Sequence, residues 1–115
     1  MTIKKLIAAA LTPVLANSWA VELPKRPTWP AIVFEVATEE EKGWVLGGGY
    51  DQHVVSVFSL AKTVEEIDAL RPQIIAALEA VPGFMGAEGE GDSDYESDPN
   101  VYAYYQDFRI RTRRT

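Results

Sequence analysis

The sequence predicts an α+β domain in which a mostly antiparallel β-sheet packs against two α-helices. Three observations carry that expectation. Residues 2–15 and 63–81 place their apolar side chains at intervals of three and four, the period of a helix with one buried face. Residues 31–37, 51–61 and 100–115 are rich in β-branched and aromatic residues, as strands are. Stretches rich in proline, glycine or acid punctuate these segments. At 115 residues the chain fits one domain, 1–115, with no room for a second core.

In the first helix Ile3, Leu6, Ile7, Ala10, Leu11, Val14 and Leu15 form the apolar stripe, with Lys4, Lys5, Ala8 and Thr12 opposite. Pro13 weakens its last turn, and Asn17 or Ser18 ends it. The same letters admit a second reading. A lysine pair, an apolar run and Ser18-Trp19-Ala20 fit a secretory signal with a small-residue cleavage site. A signal core needs hydrophobicity but no face, and here the polar residues fall on one side, which favours a retained helix.

ELPKRPTWP, residues 22–30, has three prolines and is an extended connector, because proline biases its predecessor away from the helical region. AIVFEVA, residues 31–37, is a strand with Ile32, Phe34 and Val36 on one face and Ala31, Val33 and Glu35 on the other. Thr38–Lys42 is an acidic, solvated turn; Gly43–Leu46 is a short strand candidate, broken by Gly47-Gly48-Gly49. In DQHVVSVFSLA, residues 51–61, Val55 and Val57 oppose Val54, Phe58 and Leu60, the pattern of a strand covered on both sides.

Thr63-Val64-Glu65-Glu66 is a capping box, and Ile67, Leu70, Ile74, Ile75 and Leu78 continue the helical face to about Val81. Pro72 inside that pattern predicts a kink or a split; Pro82-Gly83 closes the element. Residues 86–98 are glycine-rich and acidic, which predicts a flexible loop or hairpin tip. The closing strand alternates, with Tyr102, Tyr104, Gln106, Phe108 and Ile110 on one face and Ala103, Tyr105, Asp107, Arg109 and Arg111 on the other.

Composition narrows the function. No apolar run reaches the roughly 18–20 residues of a spanning helix. A formal charge of −6 argues against binding nucleic acid by neutralising phosphates. With no cysteine there are no disulfides, thiolate metal sites or cysteine nucleophile. Gly47–Tyr50 lacks the Lys-Ser/Thr of a phosphate loop, and His53, the single histidine, has no nucleophile elbow beside it. It is read as a strand surface residue. Asp92, Asp94, Glu96 and Asp98 have the spacing of the first calcium-loop ligands, but Ser97 and Ala103 stand where the glycine and closing glutamate belong. No catalytic, cofactor or metal site is expected. Trp29, Trp44 and Tyr50 lie in or beside connectors, and Arg109, Arg111 and Arg113 line one strand face. Aromatics and arginine are enriched in interface cores, so these six are the candidate self-association residues; the alternative for the aromatics is that they fold back over the core.

Several stretches taken together, IKKLIAAALTPVL, WPAIVFEVA, QHVVSVFSLAKTVEEIDALRPQIIAALEAV and YYQDFRIRTR, resemble the tail-terminator (tail-completion) proteins of long-tailed bacteriophages, the group of the lambda-type minor tail protein U. The resemblance covers roughly residues 3–112, departing at Pro72 and in the length of the acidic loop. It implies a structural, non-enzymatic protein without cofactor. Its partners are then other copies in a ring, usually a hexamer, the tail tube protein and a head–tail connector protein, with neither membrane nor specific nucleic-acid binding. The ring stops tube polymerisation at the head-proximal end of the tail and is assembled in the host bacterial cytoplasm. The fold also occurs in prophage tails and gene transfer agents. Such a ring predicts that Arg109, Arg111 or Arg113 meets carboxylates between Glu88 and Asp98 of a neighbour, around a net-acidic lumen. The alternatives are a head–tail connector or neck adaptor, and, in another class, a secreted or periplasmic binding module that loses its first 20 residues.

Overall fold

The computed structural model describes residues 2–40, 49–95 and 98–113, the side chain of Glu40 excepted. Thr2 caps helix α1 (Ile3–Leu11), its hydroxyl accepting from the Lys5 amide at 3.3 Å. The helix is shorter than the 2–15 expected because Pro13 has no amide to donate to Ala9; Val14 and Leu15 bond back to Leu11 and still pack on the core. Asn17 then fastens the turn, its side-chain amide donating to the carbonyls of Thr28 at 2.8 Å and Pro30 at 2.9 Å.

Four further strands and a second helix follow a short first strand: β1 (Ser18–Ala20), β2 (Ala31–Glu40), β3 (Tyr50–Ala61), α2 (Val64–Glu79), β4 (Phe84–Asp94) and β5 (Tyr102–Arg113). They form one five-stranded sheet in the order β1-β2-β3-β5-β4, parallel only between β1 and β2. The predicted α+β class is therefore correct. Both helices lie on one face. Ile7 and Leu11 of α1, Ile32 and Phe34 of β2, Val55 and Val57 of β3, Ile74 and Leu78 of α2, and Phe108 and Ile110 of β5 make a fully buried core there. The opposite face is thinly covered at one end by Leu60, Val101 and Ala103, with Leu23, Trp29, Val33, Phe58 and Tyr95 against them. That second cluster is why the β3 strand is apolar on both sides.

Three expectations are corrected. Residues 86–98 are for the most part strand β4, paired with β5 from Phe84↔Ile110 to Asp94↔Tyr102, rather than a loop. Backbone bonds to β5 need no apolar side chains, so an exposed edge strand is compatible with a composition that reads as a loop. Tyr105 covers Gly91, where a Cβ would sit 3.2 Å from its ring, and the register shifts between Phe84 and Gly86 and between Ala87 and Gly89. Helix α2 runs through Pro72 as one element, so of the two outcomes expected there, a kink or a split, the split does not occur. Nearby side chains serve carbonyls around the missing amide, Gln73 donating to Ala69 at 2.9 Å and Gln106 to Arg71 at 3.3 Å. Strand β2 continues to Glu40, past the point where acidic residues suggested a turn, because β3 pairs with it as far as Glu40↔Asp51. The strand candidate 43–46, the Gly47–Gly48 pair and Lys42 lie outside the described residues.

Candidate functional site

The sheet register decides which of the candidate interface residues meet. Tyr50 stands opposite Arg113, and Gln52 opposite Arg111, at one end of the β3–β5 ladder. By alternation these residues, with Arg109, share the face that carries Leu60 and Ala103, away from the helices. The Arg111 guanidinium lies 3.8 Å from the centre of the Tyr50 ring, and that of Arg113 lies 6.0 Å from it. A planar cation over a phenol ring is held by the ring quadrupole, typically by ~0.5–1 kcal/mol where water reaches it. Arg109 donates to Gln52 at 2.8 Å and pairs with Glu88 on β4. Four of the six candidates, Tyr50, Arg109, Arg111 and Arg113, thus form one cationic and aromatic patch.

Trp29 is elsewhere. It packs in the second apolar cluster, edge-on to Tyr95 with ring centroids 5.3 Å apart and an interplanar angle of 74°. Along β3, Leu60 in that cluster is ten residues from Tyr50, about 33 Å at ~3.3 Å per residue, so Trp29 and the arginine patch are separate surfaces. Trp44 lies outside the described residues. The carboxylate expected to meet Arg109 across a subunit boundary is found within the same chain, because the β4 strand brings Glu88 beside β5.

Contacts that the sequence did not show complete the polar structure. Arg71 on α2 grips Glu90 on β4 through two nitrogens, Nε to Oε2 at 2.8 Å and Nη2 to Oε1. That contact holds the Glu90 carboxyl below, and the Arg71 guanidinium above, their ordinary ranges. His53 is buried, not on the surface. Its Nδ1 is 2.8 Å from the Thr38 hydroxyl and its Nε2 is 2.6 Å from that of Thr112, so one ring ties β2 to β5 across β3. Burial pushes its pKa down, opposed by the Asp51 carboxylate. Both ring nitrogens are engaged with hydroxyls, which suits a structural tie. Only the tertiary register could have shown this.

Among the described residues, no three His, Asp or Glu side chains are grouped to hold a metal ion. Asp98 instead accepts from the Asn100 amide at 2.9 Å and pairs with Lys62 at 3.3 Å. A groove of about 640 Å³ between α1 and α2 is lined by Leu6, Ala10, Val14, Ala77 and Val81 among others, with Gln73 the one polar side chain among the described lining residues. It contains no group that could transfer a proton or attack a substrate.

No family model and no curated protein sequence matches the chain. Among solved structures it is similar to a chain in the virion of a native gene transfer agent particle. The match has a TM-score of 0.65 at 13% identity and covers 96% of this chain and 94% of the other. The two chains share a fold from end to end.

Proposed function

We propose that this chain is a structural protein of a phage or phage-like virion, and within it a tail terminator. The observation that carries the first step is the end-to-end fold likeness to a chain of a gene transfer agent virion, with neither chain extending much beyond the other. The second step rests on the sequence resemblance, which spans both helices, the central strand and the closing strand. As a terminator the chain is not an enzyme, and its work is contact: with copies of itself in a ring, with the last layer of tail tube, and with the connector on the head side. Surface properties agree with that role. One sheet face presents the Tyr50, Arg109, Arg111 and Arg113 patch, and Trp19, Val21, Met85 and Tyr102 are large apolar side chains left exposed.

Adding the purified chain to polymerising tail tube protein tests this reading. A terminator stops growth, so tubes shorten as the ratio of terminator to tube protein rises. A tube-length distribution that does not respond contradicts the terminator role. Binding to the connector protein with no effect on tubes supports the neck-adaptor alternative. The secreted-module reading removes residues 1–20 and with them Ile7 and Leu11, two fully buried core side chains.

A further inference from the structure

We infer that copies of this chain join edge to edge, with β1 on one copy lying against the outer edge of β4 on the next. The inference rests on the ring proposed above for its closure, and on the sheet itself for the choice of surfaces. Among the described residues β1 and β4 are the two margins of the sheet, each paired on one side only. A strand margin offers unpaired amides and carbonyls to another chain.

Register places the two margins at the same height. One row across the sheet runs Ser18, Ile32, Ser59, Tyr104, Asp92; the next runs Trp19, Val33, Phe58, Tyr105, Gly91; the third runs Ala20, Phe34, Val57, Gln106, Glu90. β1 is parallel to β2, and each later step across the sheet reverses direction, so β1 runs antiparallel to β4. A second copy's β1 therefore meets Glu90–Asp92 as an antiparallel neighbour with no shift along the strands. A head-to-tail contact without rise closes into a ring, whereas one with rise makes a helix.

Charge selects the same pairing. Lys4 and Lys5 are exposed on α1, which packs on β1 from the helix face, the face to which Asp92 and Asp94, opposite Tyr104 and Tyr102, also point. Neither lysine forms an ion pair among the described residues. On the other margin Asp92 and Asp94 are exposed and also form none, while Glu88 and Glu90 are held by Arg109 and Arg71. Opposite charges on two margins favour β1 against β4 and disfavour β4 against β4, where carboxylates would meet carboxylates. Trp19, 41% exposed, and Val21, 55% exposed, supply apolar surface at the basic margin. The contact ends there: Val21, at φ 72°, turns the chain away, and the rest of the β2 edge carries Glu35 and Glu39.

A charge swap tests the pairing. Lys4→Glu/Lys5→Glu makes both margins acidic, and Asp92→Lys/Asp94→Lys makes both basic. Each variant, checked for native circular dichroism, is compared with wild type by light scattering on a sizing column. Wild type is expected to assemble, each variant to assemble at least about tenfold more weakly, and an equimolar mixture of the two variants to recover assembly, because their margins are complementary. Rings of wild type that persist unchanged in both variants, or a mixture that does not recover, overturn the edge pairing and leave the terminator reading standing. Wild type that terminates tubes yet stays monomeric alone and on the tube end overturns the pairing as well. Recovery in the mixture with no effect on tubes supports the pairing and contradicts the terminator.

Discussion

Gly83 closes the turn between α2 and β4, and replacing it with alanine has a cost that can be worked from the geometry. Its φ of +88° lies in the left-handed region, where a Cβ costs about 1–2 kcal/mol. An ideal Cβ there would sit 1.9 Å from the Arg111 carbonyl oxygen, where real Cβ contacts stop near 3.0 Å, so that strand must retreat. The retreat loosens the bond from the Arg111 amide to the Gly83 carbonyl, now 2.8 Å, which contributes roughly 0.5–1.5 kcal/mol. Against this, alanine reduces the freedom of the unfolded chain by about 0.4–1 kcal/mol. Gly83→Ala is therefore expected to destabilise by about 2 kcal/mol, a Tm lowered by roughly 8 °C for a chain of this length. Gly89→Ala is the control. A Cβ at Gly89 meets nothing within 4 Å, and its effect is expected within about 0.5 kcal/mol of zero. Thermal and urea unfolding followed by circular dichroism give both values. Equal stabilities for the two variants would refute the tight apposition of the α2–β4 turn on β5.

Three further outcomes follow from the packing. Ile7→Ala removes a fully buried side chain from the main core and is expected to cost ~2–5 kcal/mol in urea unfolding, while exposed Lys5→Ala is close to neutral. Trp29→Ala removes the edge-on contact with Tyr95 and opens the thin apolar cluster; a loss of about 2 kcal/mol is expected, with the fluorescence change on unfolding reduced. His53 gives a pH dependence. Its folded pKa is depressed, so the unfolded chain takes the proton first as pH falls, and the full stability seen above the ordinary value near 6.5 declines as pH drops towards the folded pKa. His53→Gln is expected to flatten the stability slope between about pH 7 and pH 5.5, above the range where carboxylates titrate.

Where side-chain chemistry dictates structure, the sequence was legible. The stripes Ile7-Leu11 and Ile74-Leu78 and the Thr63 cap locate both helices, and Phe34, Val55 and Phe108 all fall on the face assigned to them or paired with it. What stayed hidden depends on pairing between distant segments. β4 was unreadable because an edge strand of glycine and acid is held by backbone bonds to β5 and by Arg71 and Arg109, not by an apolar face. β1 spans three residues, too few for a period, and exists because Asn17 and Val21 bond to the β2 backbone around it. For the same reason the candidate residues divided: Tyr50 joined the arginines through register, while Trp29 turned back onto the sheet.

Native mass spectrometry of the full chain bears most directly on the idea that its surfaces exist to meet copies of itself. The account predicts a closed oligomer, a hexamer, of the 12.7 kDa chain at micromolar concentration or on addition of tube protein. A spectrum of single chains under both conditions would contradict it.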